Sequence, residues 1–234
     1  MQRMRLFHEA KNKIRRRGVS TQQVVESLHT NASAALELPI LHVETVALCV
    51  VKYTTPPAAA LELKDLISTA ASELWKPSSV FKSGSSVVTL DTEDRQCSEY
   101  NLSKDYLTCH PEDPLRRAGS AIDNVMRSVM NDYRAKYVMH AIESSYTVLL
   151  KYDVGGHFVS HYDAARSAPR AVSVTCFLND DYVGGELYFE HLNITVKPSP
   201  GLIIVFPSDY PYRHLVTPIE QGTRYSIVKW YSYV

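Results

Sequence analysis

YTVLLKYDVGGHFVSHYD, residues 146 to 163, is where the period of the chain changes. Before it, apolar residues recur at helical spacing; from it onward they alternate, the period of a half-buried strand. On a strand, residues i and i+2 point to one side, so His161 and Asp163 can aim an imidazole and a carboxylate at one point. His157 would join His161 only on a helix, as an i, i+4 pair, and Gly155-Gly156 in β-rich surroundings argues against one. Two ligands leave a metal ion under-coordinated, so a third must arrive from a distant strand.

The alternation continues through AVSVTCFLND, GELYFE, NITVKP, GLIIVFPS and RYSIVKWYSYV, separated by Gly, Pro, Asn and Asp turns. Upstream, ETVALCVVKYTT (44–55) predicts one strand. AAALELKDLISTAASELW and the stretch from Asp113 to Ser144 predict amphipathic helices. Residues 76–110 are polar and predict irregular strands and loops, a candidate lid, and residues 5–36 predict a helix interrupted near Gly18. Helices first and short strands afterwards give an α+β fold, with a sandwich or jelly roll in the C-terminal half.

The 234 residues, 45% hydrophobic and 21% charged, suffice for one full core. A formal net charge of zero argues against nucleic-acid binding by the body of the protein. No apolar run approaches the roughly 20 residues of a membrane span, so no membrane partner is expected. The N-terminus sets Arg3, Arg5, Lys11, Lys13 and Arg15 to Arg17 against one acid, Glu9. It lacks the apolar centre of a signal peptide. A solvated basic helix is preferred to a transit peptide or polyanion-binding arm. Cys49, Cys97, Cys109 and Cys176 show no metal-binding or disulfide spacing, and reduced thiols suit a cytoplasmic setting.

His214, after the very apolar GLIIVFP, is the candidate third ligand. Two histidines and one carboxylate leave metal positions open, the pattern of non-haem Fe(II) oxygenases. Ten residues on, strand parity puts Arg224, Ser226, Val228 and Trp230 on one face and Tyr225, Ile227, Lys229 and Tyr231 on the other. An inward guanidinium needs a partner. A small dicarboxylate would supply one; an internal salt bridge to Glu186 or Asp209 is the alternative.

Tyr152-Asp-Val-Gly155-Gly-His-Phe158-Val-Ser-His161-Tyr-Asp163 resembles the YxxGxxYxxHxD signature of prolyl 4-hydroxylase-like 2-oxoglutarate/Fe(II) dioxygenases. GGELYF (184–189), GLIIVFPS (201–208) and HLVTPIEQGTRYSI (214–227) resemble further segments of that family, in the same order. The resemblance spans about residues 145–231 and implies a double-stranded β-helix, a cupin-like jelly roll with helices packed on one sheet. It divides the chain into a basic helical extension, 1–40, and a dioxygenase domain, 41–234. It implies His161, Asp163 and His214 as Fe(II) ligands. Arg224, with Ser226 nearby, would hold the far carboxylate of 2-oxoglutarate. Tyr152, Ser173 and Trp230 would line the same pocket.

The implied activity is hydroxylation of a substrate C–H bond with O2 and 2-oxoglutarate, releasing succinate and CO2, with ascorbate as a companion reductant. Peptidyl proline is the first substrate class, as in procollagen-proline 4-dioxygenase-like enzymes. Phe158 stands where the family has a substrate-handling tyrosine, and Phe177 replaces another tyrosine. Both departures keep a free amino acid, another small molecule or a modified biopolymer open as substrate. Tyr162, Arg95, Arg166 and Arg170 are candidate substrate contacts. A non-catalytic binding barrel and a zinc hydrolase are the readings from other classes. A zinc hydrolase would leave Arg224-x-Ser226 unexplained.

Overall fold

Alternation sorts the strands of the C-terminal half into two cores, one on each face of a large sheet. The computed structural model describes residues 35–234 except 71–73, 79, 82–87, 90, 103, 138, 140, 144–146, 166–167 and 234. The basic N-terminal segment and nearly all of the helix expected over 5–36 lie outside the described residues, as does Arg166.

In chain order the first half contains β1 (His42–Ala47), β2 (Val50–Thr54), α1 (Pro57–Ala70), β3 (Lys76–Pro77), β4 (Val80–Phe81), β5 (Val88–Thr89), β6 (Arg95–Gln96), β7 (Ser98–Leu102) and α2 (Pro114–Tyr137). Then come β8 (Ala141–Glu143), β9 (Thr147–Tyr152), β10 (His157–His161), β11 (Arg170–Phe177), β12 (Val183–Gly184) and β13 (Leu187–Phe189). The chain ends with β14 (Ile194–Val196), β15 (Leu202–Pro207), β16 (His214–Val216), β17 (Ile219–Gln221) and β18 (Arg224–Tyr233).

The major sheet has the order β1-β2-β15-β11-β18-β9-β7-β3, with β8 also on β18, and the minor sheet the order β14-β13-β16-β10-β6. From β9 onward the chain shuttles between them: β9 major, β10 minor, β11 major, β13 and β14 minor, β15 major, β16 minor, β18 major. That alternation is a double-stranded β-helix, the α+β jelly roll the sequence predicts.

One face of the major sheet presents Val172, Val174, Ile203, Val205 and Ile227 to Leu63 and Ile67 of α1 and to Ile122, Met126 and Val129 of α2. The opposite face sends Leu150, Phe177, Ile204, Phe206 and Val228 inward against Leu187, Phe189 and Val216 of the minor sheet. Truncating a fully buried member such as Ile203 to alanine would cost about 2–5 kcal/mol. Lys229 falls on the helix-covered face, as parity requires, and is satisfied there by Asp123 of α2 at 2.9 Å.

Three expectations need correction. The single strand over 44–55 is a hairpin, β1 and β2, turning at Leu48-Cys49. Its turn has no glycine, proline or asparagine to announce it. Cys49 takes a left-handed backbone, φ 55°. Tyrosine hydroxyls hold the turn from two sides, Tyr133 donating to the Cys49 carbonyl at 2.8 Å and Tyr212 to the Leu48 carbonyl at 2.9 Å.

The helix expected to run from Asp113 to Ser144 is α2, ending at Tyr137, and β8 follows it. Its start is local chemistry: Asp113 Oδ1 accepts from the Leu115 amide at 2.9 Å, with Pro114 as the first helical residue. Over 76–110 the irregular strands expected are present as β3 to β7, but in place of a lid three of them, β3, β6 and β7, join the two sheets. β7 pairs with β9 along residues 98–102, and β6 pairs with β10, so this stretch extends both layers of the barrel. Among the described residues no helix is long and apolar enough to cross a membrane.

Candidate metal and cosubstrate site

His161 closes β10, His214 opens β16, and the two are cross-strand partners in the minor sheet. Asp163 follows two residues after His161. Its Oδ1 lies 3.4 Å from His161 Nε2 and its Oδ2 3.8 Å from His214 Nε2. One ligand atom from each of the three falls within 4.8 Å of the others.

Each imidazole is oriented by its own strand. His161 Nδ1 lies 2.9 Å from the Val159 carbonyl oxygen, and His214 Nδ1 3.0 Å from that of Tyr212. A carbonyl can only accept, so each Nδ1 carries the proton and each Nε2 offers its lone pair to the common point. Burial and the neighbouring His161 push His214 down to about 4 against the pull of Asp163, so this ring is neutral at pH 7.

Burial by itself raises the Asp163 carboxyl. His214, His161 and Arg170 outweigh it and hold the group well below the usual carboxylate range. Ser173 donates to Asp163 Oδ2 at 2.6 Å and sits 2.8 Å from the Ser208 hydroxyl. Two oriented imidazoles and one oriented carboxylate fit a divalent first-row metal with open positions.

Arg224 opens β18 opposite Tyr152 on β9. Its guanidinium carbon lies 4.9 Å from the Tyr152 ring centre and 5.1 Å from that of Phe177, and the residue is 2% exposed. Gly185 supplies the room. A Cβ there would lie 3.1 Å from Arg224 Cδ and 2.5 Å from Ile219 Cδ1, and the backbone has φ +70°.

Arg224 Nε and Nη1, Ser226 Oγ, Trp230 Nε1 and the Tyr182 hydroxyl are all buried without a hydrogen-bond partner. Burial pushes the Tyr182 phenol up to about 12 although Arg224 draws it down. Among the described residues no carboxylate pairs with Arg224. Glu186 instead accepts from the Thr217 hydroxyl at 2.6 Å, and Asp209 from the Tyr210 amide at 2.8 Å. Buried donors of this kind are rare in folded proteins unless something absent answers them. A dicarboxylate fits that set.

The structure gathers the other predicted residues around these two centres. Tyr152 is buried beneath Arg224, and Ser173 reaches the site by its bond to Asp163. The Trp230 ring carries the Arg170 guanidinium at 3.7 Å, and Arg170 Nη1 donates to the Asp163 carbonyl at 3.2 Å. Tyr162 meets His191, hydroxyl to Nε2, at 3.2 Å. His157 stands outside the trio, its ring nitrogens 2.9 and 3.0 Å from the carbonyls of Gly155 and Glu93.

Sequence reasoning passed over Ser208 and Tyr182. Ser208 lay in plain view at the end of GLIIVFPS; Tyr182 is in a loop, where strand parity says nothing.

The model of the 2OG-Fe(II) oxygenase superfamily matches residues 147–232. A PKHD-type hydroxylase of Prochlorococcus marinus (strain NATL2A) is 39% identical over 87 residues, 34% of this chain and 38% of the relative. One from Synechococcus sp. (strain CC9605) is 29% identical over 131 residues, 52% of this chain and 58% of the relative. The chain thus spans less than two thirds of the length of these curated relatives.

Among solved structures, a Pseudomonas putida prolyl-4-hydroxylase superposes with a TM-score of 0.61 at 17% identity, covering 80% of this chain and 93% of that one. A Trichoplax adhaerens prolyl hydroxylase, in complex with a hypoxia inducible factor oxygen degradation domain peptide fragment, gives 0.58 at 16% identity, covering 92% and 94%. These likenesses bear on the fold. The cofactor set that goes with the superfamily is Fe(II), with 2-oxoglutarate and O2 as cosubstrates, and the trio offers the donors for the metal. Residues 147–232 thus match the 2OG-Fe(II) oxygenase superfamily, with PKHD-type hydroxylases among the similar sequences and prolyl hydroxylases among the similar folds.

Proposed function

We propose that this protein is an Fe(II)- and 2-oxoglutarate-dependent dioxygenase that hydroxylates a substrate C–H bond and releases succinate and CO2. The observation that carries the proposal is the pairing of two incomplete sites in one barrel. Three side chains grouped so that they could hold a metal share the interior with a buried arginine, serine and tryptophan whose donors are unanswered. Fe(II) with 2-oxoglutarate and O2 supplies the oxidising chemistry.

The chain's residues hold and orient. His161, Asp163 and His214 take the metal through Nε2, a carboxylate oxygen and Nε2. Arg224 takes the far carboxylate of 2-oxoglutarate with Ser226 and Tyr182 beside it, and Tyr152 floors the pocket. Ser173 fixes the Asp163 oxygen that faces His214, and Trp230 walls the cavity with Arg170 laid on its face. The apolar lining of Phe177, Phe189 and Phe206 excludes water, which strengthens each of these contacts.

Peptidyl proline is the substrate we favour, since structurally similar proteins include prolyl hydroxylases, one of them in complex with a peptide fragment. A free amino acid or other small molecule is the second reading. It is supported by Phe158, whose ring lies flat on His161 at 3.6 Å and offers no hydroxyl to a peptide. The dioxygenase domain is assigned to 41–234 and residues 1–40 to an extension. Four free cysteines support a reducing, cytoplasmic compartment.

The test is succinate formation by the full chain with Fe(II), 2-oxoglutarate and O2, against prolyl peptides and free amino acids. Metal-dependent succinate stimulated by a prolyl peptide is expected. Stimulation by a free amino acid alone would move the assignment to the second reading, and no succinate above a His214→Ala control would overturn both.

A further inference from the structure

Among the described residues outside the stretch matched to the superfamily, one more buried donor lacks a partner: Nε of Arg95. Arg95 comes from β6, which adds to the minor sheet beside β10, and it stands opposite Phe158 in that pairing. Its guanidinium carbon lies 4.6 Å from the Phe158 ring centre, and that ring is itself stacked on His161 at 3.6 Å. The residue is 9% exposed.

Part of its charge is answered. Glu99 Oε2 is 3.8 Å from Arg95 Nη1, and Glu99 also accepts from the Ser78 hydroxyl. That leaves Nε. The Tyr152 phenol is close to both Arg95 and Arg224: burial and the Cys97 thiol raise it while both guanidinia pull it down. Tyr152 is therefore flanked by two arginines, one at the far end of the cosubstrate pocket and one over the ring that covers a metal ligand. An unpaired, buried guanidinium nitrogen at that place calls for an anionic acceptor.

We propose that Arg95 is a second cationic anchor for 2-oxoglutarate, its Nε–H donating to the carboxylate nearer the metal while Arg224 holds the other. This rests on the cosubstrate assignment made above. A dianion gripped at both ends explains why the barrel buries two arginines around one tyrosine. It also gives a purpose to the insertion of β6 alongside β10, which a jelly roll does not need for closure.

The test is direct binding, independent of turnover. The full chain loaded with Mn(II) under nitrogen is titrated calorimetrically with 2-oxoglutarate, as wild type, Arg95→Gln, Arg95→Lys, Tyr152→Phe and Arg95→Gln/Tyr152→Phe. Loss of one charge-assisted hydrogen bond predicts a Kd weakened about tenfold to a hundredfold in Arg95→Gln. Arg95→Lys, which keeps the charge and the fold but loses the planar fork, should be intermediate. Mn(II) affinity without 2-oxoglutarate should stay within about twofold of wild type.

A double variant weaker than Tyr152→Phe alone supports direct contact. One no weaker shows that Arg95 acts only through Tyr152 and overturns the proposal. Unchanged affinity in both Arg95 variants overturns it too. Failure of wild type to bind 2-oxoglutarate would sink the cosubstrate assignment itself, a different result.

Discussion

His214 Nδ1 lies 3.0 Å from the backbone carbonyl of Tyr212, and the hydroxyl of that same Tyr212 donates to the Leu48 carbonyl at 2.9 Å. The orientation of a candidate metal ligand is thereby tied to the β1–β2 turn, 164 residues from the tyrosine in sequence. Tyr212→Phe keeps the buried ring and deletes the tether. Metal affinity should fall, by about tenfold, as expected for loss of an outer support. Mn(II) titration checks this, with the melting temperature as control; unchanged affinity would mean that the strand alone holds the ring.

Ser173 belongs to the same outer layer on the carboxylate side. Ser173→Ala leaves Asp163 Oδ2 without its hydroxyl donor and leaves Ser208 with one partner fewer. The expected outcome is metal binding weakened about tenfold to a hundredfold with 2-oxoglutarate affinity at saturating metal nearly unaffected. A loss confined to 2-oxoglutarate would instead make Ser173 a cosubstrate contact.

Gly185 makes a purely steric prediction. Gly185→Ala sets a methyl group against Ile219 and Arg224 in a left-handed backbone, costing about 1–2 kcal/mol from the backbone alone. Urea unfolding should register that cost. 2-Oxoglutarate binding should weaken as Arg224 is displaced, while metal affinity holds.

The metal-free protein should lose stability on acidification through two groups. His214 has its folded value lowered to about 4 from 6.5, so below the ordinary histidine range the unfolded chain takes up a proton that the folded chain refuses. Stability from this group is present above about 6.5 and drains as the pH falls toward 4, by about 3 kcal/mol in full. Asp163, held low, contributes in the same direction at still lower pH. Urea denaturation at pH 7 and pH 5 measures the effect, and His214→Gln should flatten it. Equal stability at the two values, or a gain at pH 5, would contradict it.

Much of this molecule could be read from the chain because alternation is a strong signal where each strand divides two cores. Parity alone put Arg224, Ser226 and Trp230 inside and Lys229 outside, and the structure keeps that division. Reading failed where long-range contacts replace local signals. The Leu48-Cys49 turn is held by tyrosines from α2 and the residue 212 region, so no turn residue was needed. Residues 95–102 look polar and irregular because Arg95 and Glu99 face each other and Ser98–Leu102 is an added strand near one edge of the major sheet. The sequence offers Arg95 only as a candidate substrate contact, because its neighbours in space, Phe158 and Tyr152, are far along the chain.

The central claim is that one barrel binds a metal through His161, Asp163 and His214 and a dicarboxylate through Arg224. The most direct measurement is anaerobic calorimetric titration with Fe(II) and then 2-oxoglutarate of wild type, His161→Ala, His214→Ala, His157→Ala and Arg224→Gln. Wild type and His157→Ala should bind both in sequence. His161→Ala and His214→Ala should lose the metal and with it the 2-oxoglutarate, and Arg224→Gln should keep the metal and lose most 2-oxoglutarate affinity. Wild-type protein that takes up neither, or Arg224→Gln protein that binds 2-oxoglutarate as wild type does, would contradict the claim.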